Sequence, residues 1–324
     1  LVQCRKGADA NFTVDEFNTR DPFDVKTKIV LDGKLYIPRK IENESKIIFD
    51  SKAIYIMNSL EIRPIEDLRQ FIELFNENVR TLDADEATAK VNSLIKYYSY
   101  GSKDPERPAN PLEHLERQWF DALDKGEIDY SVYSDDDYYV EAYACWMVYT
   151  RNVIKGLSKH LHIFSDVKRI LDLGNGIGRT TVGWKGLYPD AEVIATNFKD
   201  CEQWKISQAL QKTCDFRLEE NSLNLGEIDI LFACEYFEHI EYPLEHLAEV
   251  IEANNPRYMI IANSFGTVGI GHFKEYKDSN FFVGTDIIDW KKISRRFNQL
   301  MRDKGYVKME KQFFNMTPYM WERK

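Results

Sequence analysis

The sequence predicts an α/β protein: a seven-stranded, doubly wound sheet with helices on both faces, preceded by a smaller α+β module. Three observations carry this. From Arg169 onward, short apolar runs alternate with helical patterns, as parallel strands joined by crossover helices require. The first of these runs ends in Asp172 and opens into alternate glycines, Gly174, Gly176 and Gly178, before a helical stretch. The chain closes on two further apolar-rich segments, which bring the set of strands to seven.

From about Asn11 to Asn58 the pattern is that of strands. Lys28-Ile-Val-Leu-Asp32-Gly33-Lys-Leu-Tyr-Ile places an Asp-Gly turn between apolar arms, a hairpin signal. Lys46-Ile-Ile-Phe and Ala53-Ile-Tyr-Ile-Met read as another strand pair. Ile65 to Phe75 and Ala87 to Tyr98 carry apolar residues at helical spacing. The Pro-rich, polar run from Gly101 to Pro111 then marks the main linker. These signals divide the chain into an N-terminal module (1–100), a linker with a helical and aromatic lid (101–137) and a sheet domain (138–324).

Within the lid, helical pattern begins at Leu112 and runs through Trp119, followed by the acidic, aromatic loop Asp129 to Tyr139. Tyr138 to Leu161 is helical again. The sheet strands are expected at Arg169–Leu173, Glu192–Asn197, Cys214–Glu219, Ile228–Ala233 and Arg257–Ser264. Pro243 to Ile251 puts its apolar residues on one stripe, and Pro at its start suits a first helical turn. A long helix is expected from Asp286 to Arg302, ended by Lys304-Gly305. Tyr306 to Glu310 and Phe313 to Trp321 are the closing strands.

Composition narrows the function. With 44% hydrophobic and 30% charged residues over 324 positions, the chain is an ordinary globular one. No apolar run approaches the ~20 residues of a membrane helix, and Leu-Val-Gln-Cys-Arg-Lys resembles no signal peptide. The missing initiator Met is what a trimmed chain or a fragment would show. Five cysteines (Cys4, Cys145, Cys201, Cys214, Cys234), with no Cys-x-x-Cys spacing, suggest reduced thiols and a cytoplasmic location. A net charge of −10 argues against broad, sequence-independent grip on nucleic acid.

The glycines bear on chemistry because a residue without Cβ lets the backbone turn at φ > 0 and approach a ligand closely. The helix that follows offers unpaired N–H groups and the positive end of its dipole. The spacing Asp172-x-Gly174-x-Gly176-x-Gly178 differs from the Gly-x-Gly-x-x-Gly of dinucleotide enzymes. It resembles motif I of class I S-adenosylmethionine (SAM)-dependent methyltransferases. The segment Ile228 to Ile240, with its Glu238-His239, resembles the same family's fourth strand. The resemblance covers about Tyr138 to Lys324; the N-terminal third matches nothing nameable.

The resemblance implies SAM as cofactor, held by Asp172, Gly174, Asn175, Gly176 and Gly178. It places Asn197 at the ribose position, where the family usually has an acid, and Glu220 near the adenine amino group. Tyr133, Tyr138 and Tyr139 of the acidic-aromatic loop are candidates to cover the cofactor, by packing or by cation–π attraction to the sulfonium. Asn263 and Ser264, after strand five, are placed to orient an acceptor.

Catalytic candidates are Glu235, His239 and His272. Glu235-x-x-Glu238-His239 with distal His272 is also a set of oxygen and nitrogen ligands suited to Mg²⁺ or Mn²⁺. It is similar to the Glu-x-x-Glu-His and distal His of metal-dependent small-RNA 2′-O-methyltransferases. No Asn/Asp-Pro-Pro-Tyr follows strand four, and no Pro-Cys nucleophile is present. The expected reaction is therefore methyl transfer to a hydroxyl, amine or carboxylate of a small or carbohydrate-like acceptor. A nucleic-acid or nucleotide acceptor, with metal-assisted 2′-O chemistry, is the alternative, and a catalytically silent SAM-binding or partner-binding module is another. No membrane partner is expected.

Overall fold

The computed structural model describes residues 2–3, 29–31, 34–36, 38–43, 46–49, 64–100, 105–158, 163–164, 166–199, 201–278, 286–309 and 319–324. The chain divides into two compact units, Leu1–Arg63 and Pro64–Lys324.

In the first unit the described elements are strands. β1 (Val2–Gln3) runs parallel to β2 (Ile29–Leu31), and β2 pairs antiparallel with β3 (Lys34–Tyr36). β2 and β3 are the arms of the expected hairpin; the Asp32-Gly33 turn itself lies outside the described residues. β4 (Pro38–Asn43) pairs antiparallel with β5 (Lys46–Phe49). The strand expected at Ala53–Met57 also lies outside the described residues.

The second unit opens with α1 (Pro64–Asn78) and α2 (Ala84–Ser99). Asp83 caps α2, its carboxylate accepting from the Glu86 N–H at 2.8 Å. Both helices were expected in the N-terminal module. They pack instead on later helices of their own unit, so the break between units falls at Arg63/Pro64 and not near residue 100. α3 (Glu113–Asp124) and a 3-10 turn (Tyr130–Ser134) lead into α4 (Asp136–Cys145). A π-helical turn (Trp146–Thr150) continues α4 into α5 (Arg151–Ser158). α2 packs along α4, where Phe71 and Phe75 of α1 also meet Tyr143 and Tyr139.

The sheet follows, with β6 (Arg169–Asp172), α6 (Arg179–Leu187), β7 (Glu192–Thr196), α7 (Glu202–Gln211), β8 (Arg217–Glu219) and β9 (Ile230–Cys234). Next are α8 (Pro243–Asn254), β10 (Tyr258–Ala262), β11 (Glu275–Asp278), β12 (Asp286–Asp289), α9 (Trp290–Asp303), β13 (Tyr306–Lys308) and β14 (Tyr319–Arg323). Seven strands join in the order β13-β14-β10-β9-β6-β7-β8. β6 to β10 pair parallel, and β14 runs antiparallel to both β10 and β13. The central strands are apolar on both faces, as helices on either side demand: Leu171, Ile194, Leu231 and Ile260 are fully buried.

Two elements depart from expectation, the unanticipated strand β11 and its partner. Asp286–Asp289, read as the first turn of the long helix, is a strand paired antiparallel with β11. Among the described residues no helix is long and apolar enough to cross a membrane. The four described cysteines are free; Cys4 lies outside the described residues.

Candidate active site

The turn after β6 divides the work among its glycines. All three have positive φ: +69° at Gly174, +52° at Gly176 and +76° at Gly178. A Cβ on Gly174 would stand 2.1 Å from the Tyr236 ring, and one on Gly178 would stand 2.4 Å from Leu210. Those two let neighbouring side chains close in. A Cβ on Gly176 would meet nothing within 4 Å, so the middle glycine is the one with open space above it.

Asp172 is buried and accepts hydrogen bonds from Thr180 Oγ1 (2.7 Å) and Thr181 Oγ1 (2.6 Å), tying β6 to the first turn of α6. Burial pushes its carboxyl up to about 6, against those two hydroxyls. The Asn175 amide donates to Thr181 Oγ1 and Ser207 Oγ. Asn197, expected to accept from ribose, braces the turn. Its Nδ2 donates to Asn175 Oδ1 (3.0 Å) and Gly176 O (3.1 Å), while its Oδ1 accepts from the Phe198 N–H. An uncharged amide can donate and accept at once, which a carboxylate in that place could not. Glu220 is exposed just beyond β8.

β6 lies between β7 and β9, so this turn opens into the crevice at the carboxyl ends of the strands. Strand order, the antiparallel seventh strand and the glycine turn at the first sheet strand now stand together. The fold is that of the class I SAM-dependent methyltransferases. SAM fits the methyltransferase turn: Gly176 leaves backbone accessible, and α6 begins immediately beyond.

The aromatic lid is shared between two places. Tyr138 Oη accepts from Gln203 Nε2 (3.1 Å) in the first turn of α7, on the β7 side of the crevice. Tyr139 is buried against Phe75 and is core. Tyr133, expected at the cofactor, reaches the histidines: its Oη lies 3.0 Å from His239 Nδ1. Gly271 makes this contact possible, since a Cβ there would stand 1.9 Å from Tyr133 Oη and 2.6 Å from His239 Nδ1.

At the end of β9 the sequence-predicted cluster assembles. Single ligand atoms of Glu235, Glu238 and His272 lie within 4.8 Å of one another. Ser264 fixes both carboxylates, donating its N–H to Glu238 Oε1 (2.6 Å) and its Oγ–H to Glu235 Oε2 (2.7 Å). Glu238 Oε2 is buried without a hydrogen-bond partner. Glu235 holds φ at +52°, an uncommon conformation for a residue with a Cβ. His272, 9% exposed, pairs its Nδ1 with Thr267 O (2.8 Å), and Trp119 Nε1–H donates to the His272 carbonyl (2.7 Å). That leaves His272 Nε2 as the free nitrogen. His239 stands beside this triad, its ring centroid 4.8 Å from that of His272, but outside the three-atom set.

The electrostatics agree with the geometry. Burial, then the neighbouring Glu235, holds the Glu238 carboxyl well above the usual carboxylate range, and burial raises Glu235 too. Burial keeps both His239 and His272 below the ordinary imidazole value, hence neutral at pH 7. Two crowded carboxyls with a neutral imidazole suit a divalent cation, which would stabilise both in ionised form. The orphaned Glu238 oxygen and the donor set fit Mg²⁺ or Mn²⁺. Asn263 Oδ1 is also buried without a hydrogen-bond partner.

Tyr133→Phe removes only the hydroxyl that orients His239. It should lower turnover about ten-fold while leaving SAM affinity unchanged, as expected of a group that positions another. Steady-state kinetics and SAM titration on the same preparation check this.

Sequence reasoning named the carboxylates and histidines but missed Trp119, Gly271 and the pair Tyr98–Glu141, where Tyr98 Oη donates to Glu141 Oε1 (2.6 Å). Gly269-x-Gly271-His272 was the available local signal for Gly271. The other partners lie 43 to 153 residues apart and left none.

No protein-family model and no curated protein matches the chain. Among solved structures it is similar to human N-acetylserotonin methyltransferase in complex with SAM. That likeness has 13% identity over 72% of this chain and 70% of that one, with a TM-score of 0.45. It is similar to the SAM-dependent methyltransferase SibL at 12% identity over 80% and 74%, with a TM-score of 0.39. The methyltransferase domain of bacterial CtHen1-CN is similar at 13% identity over 53% of this chain and 97% of that one, with a TM-score of 0.36.

Proposed function

We propose that this chain is a metal-assisted, SAM-dependent O-methyltransferase acting on a hydroxyl of a vicinal diol, with the terminal ribose of an RNA as the first acceptor to test. One observation carries the reading: Glu235, Glu238 and His272 each bring a ligand atom within 4.8 Å of the others, and a Glu238 oxygen is buried without a hydrogen-bond partner. Within the hydroxyl, amine and carboxylate acceptors anticipated from sequence, a vicinal diol is favoured because this donor set suits a hard cation.

Glu235, Glu238 and His272 would hold the ion. When bound, it supplies a grip on adjacent hydroxyls and lowers the pKa of the attacking one. Ser264 aims both carboxylates, and the Thr267 carbonyl fixes the His272 ring. His239, neutral and oriented through Nδ1 by Tyr133, keeps Nε2 to accept the proton of the attacking hydroxyl. The glycine turn sets the donor's place, so the chain's work is to hold the nucleophile in line and exclude water.

A short RNA with a 2′,3′-diol terminus should gain one methyl group in Mn²⁺ or Mg²⁺, and none in EDTA. The 2′-deoxy terminus should stay unmodified. A net charge of −10 favours a second reading, in which the diol belongs to a small sugar or catechol. Methylation of such a diol, with RNA untouched, selects that reading. Equal turnover in EDTA would exclude both.

A further inference from the structure

The acidic run Asp135-Asp136-Asp137 stands at the start of α4, directly after the 3-10 turn that carries Tyr133. Asp135 caps the helix, its carboxylate accepting from the Asp137 N–H at 2.8 Å. Acids in a first helical turn complement the helix dipole, and solvent alone could serve the other two. Each of them takes a cation from the α1–α2 hairpin. Arg80 Nε–H donates to Asp136 Oδ1 (2.6 Å), and Lys90 Nζ donates to Asp137 Oδ1.

Arg80 does more than pair with Asp136. Its three guanidinium nitrogens each have a different acceptor: Nε the Asp136 carboxylate, Nη1 the Glu202 carboxylate, and Nη2 the Ser134 carbonyl. The guanidinium carbon lies 5.8 Å from the centre of the Phe75 ring and 6.0 Å from that of Tyr139, both fully buried. One fork thus joins the last residue of the Tyr133 turn, the first of α4 and the first of α7. Tyr133 precedes Ser134, and its Oη lies 3.0 Å from His239 Nδ1; Gln203 follows Glu202 and donates to Tyr138 Oη. A short 3-10 turn leaves carbonyls unpaired at its end and is a weak element, so its support must come from outside. Arg80 is 35% exposed, and ion pairs within reach of solvent add little to stability. What a planar fork with three acceptors does supply is direction.

We propose that Arg80 is a positioning residue of the reaction: its fork sets the Tyr133 turn and, through Tyr133, the His239 ring. The inference rests on the role given to His239 above, as the group that accepts the proton of the attacking hydroxyl. Arg80 touches neither substrate nor cofactor in this account and acts only through the turn it holds. It gives the acidic run a use, since Asp136 is the point by which the start of α4 is held to the same fork as the turn.

The test compares Arg80→Lys, which keeps the charge and the apolar stem but replaces the fork by a single nitrogen, with Tyr133→Phe. In protein carrying isotope-labelled histidine, nitrogen NMR reads the His239 ring, assigned through His239→Gln. Arg80→Lys should move those resonances in the same direction as Tyr133→Phe, while His246 in α8 stays in place. Asp136→Asn loosens the same fork from the α4 side and should move them less. On the diol-ended RNA in Mn²⁺, Arg80→Lys should lower kcat by about three- to ten-fold. With Tyr133 already Phe, it should lower kcat by less than about two-fold, because the route it acts through is cut. Unmoved His239 resonances in both Arg80→Lys and Asp136→Asn overturn the proposal. So do losses in kcat that multiply with that of Tyr133→Phe, which would make the fork plain structural support. If wild type methylates no diol, the functional reading fails, and the resonances still decide whether the fork sets the His239 ring.

Discussion

Glu238→Gln should abolish divalent-ion binding and cut turnover by at least about a hundred-fold, while SAM affinity stays within a factor of three. The substitution keeps the side chain's size and an oxygen to accept from the Ser264 N–H, so packing around it survives. What it removes is the second carboxylate of the pair. In the absence of metal that loss is favourable, because Glu238 is fully buried and crowded by Glu235. The metal-free variant should therefore melt no lower than wild type at pH 8.

The sign of the pH dependence follows from the same shift. Glu238 binds its proton more tightly folded than unfolded, since its folded pKa is raised. A raised carboxyl favours the folded state fully below the unfolded pKa, and this preference is lost as pH rises through the folded value. Metal-free wild type should thus lose stability above the ordinary carboxylate range, and Glu238→Gln should lose less. Ion affinity should run the other way, rising with pH as the proton leaves. Melting scans in EDTA and Mn²⁺ titrations at several pH values measure both slopes. A variant that loses turnover but keeps its ion would place Glu238 outside the ligand set.

How much of this was legible depended on distance along the chain. The glycine turn is a local signal, and the structure gives its three glycines the positive φ that the spacing implied. Glu235-x-x-Glu238-His239 was legible because three of the site's groups share five residues. Asn197 was placed correctly at the strand end, but its bonds to Asn175 and Gly176 depend on a turn 21 residues earlier. Tyr133 was read as a cofactor cover because a loop of tyrosines shows that rings gather, not which partner each hydroxyl takes; His239 lies 106 residues away. Asp286-Ile-Ile-Asp289 carries only two apolar residues, too few to separate helical from strand period, and its pairing with β11 decided it. α1 and α2 were read with the N-terminal module because the Pro-rich run after them resembles a boundary. Their apolar faces had already chosen α7 and α4.

Gly176→Val and Gly174→Ala should fail in opposite ways. At Gly176 a side chain enters open space, so nothing in the fold resists it beyond the strain of φ +52°. With the cofactor approaching through that space, as the family resemblance implies, a branched side chain there should reduce SAM affinity by more than about a hundred-fold, the scale of losing several backbone contacts. The protein should remain folded, about 1–2 kcal/mol less stable. Gly174→Ala drives a methyl group to 2.1 Å from the Tyr236 ring, which is anchored by the hydrogen bond between Tyr236 Oη and His246 Nε2. The ring cannot yield without moving α8 or Glu235, so the cost should be about 2–4 kcal/mol of stability, strain and overpacking together. SAM titration and denaturant melts on the two variants separate the effects. If Gly176→Val kept its affinity, the turn would be a folding element alone, and the cofactor would have to be sought elsewhere along the strand ends.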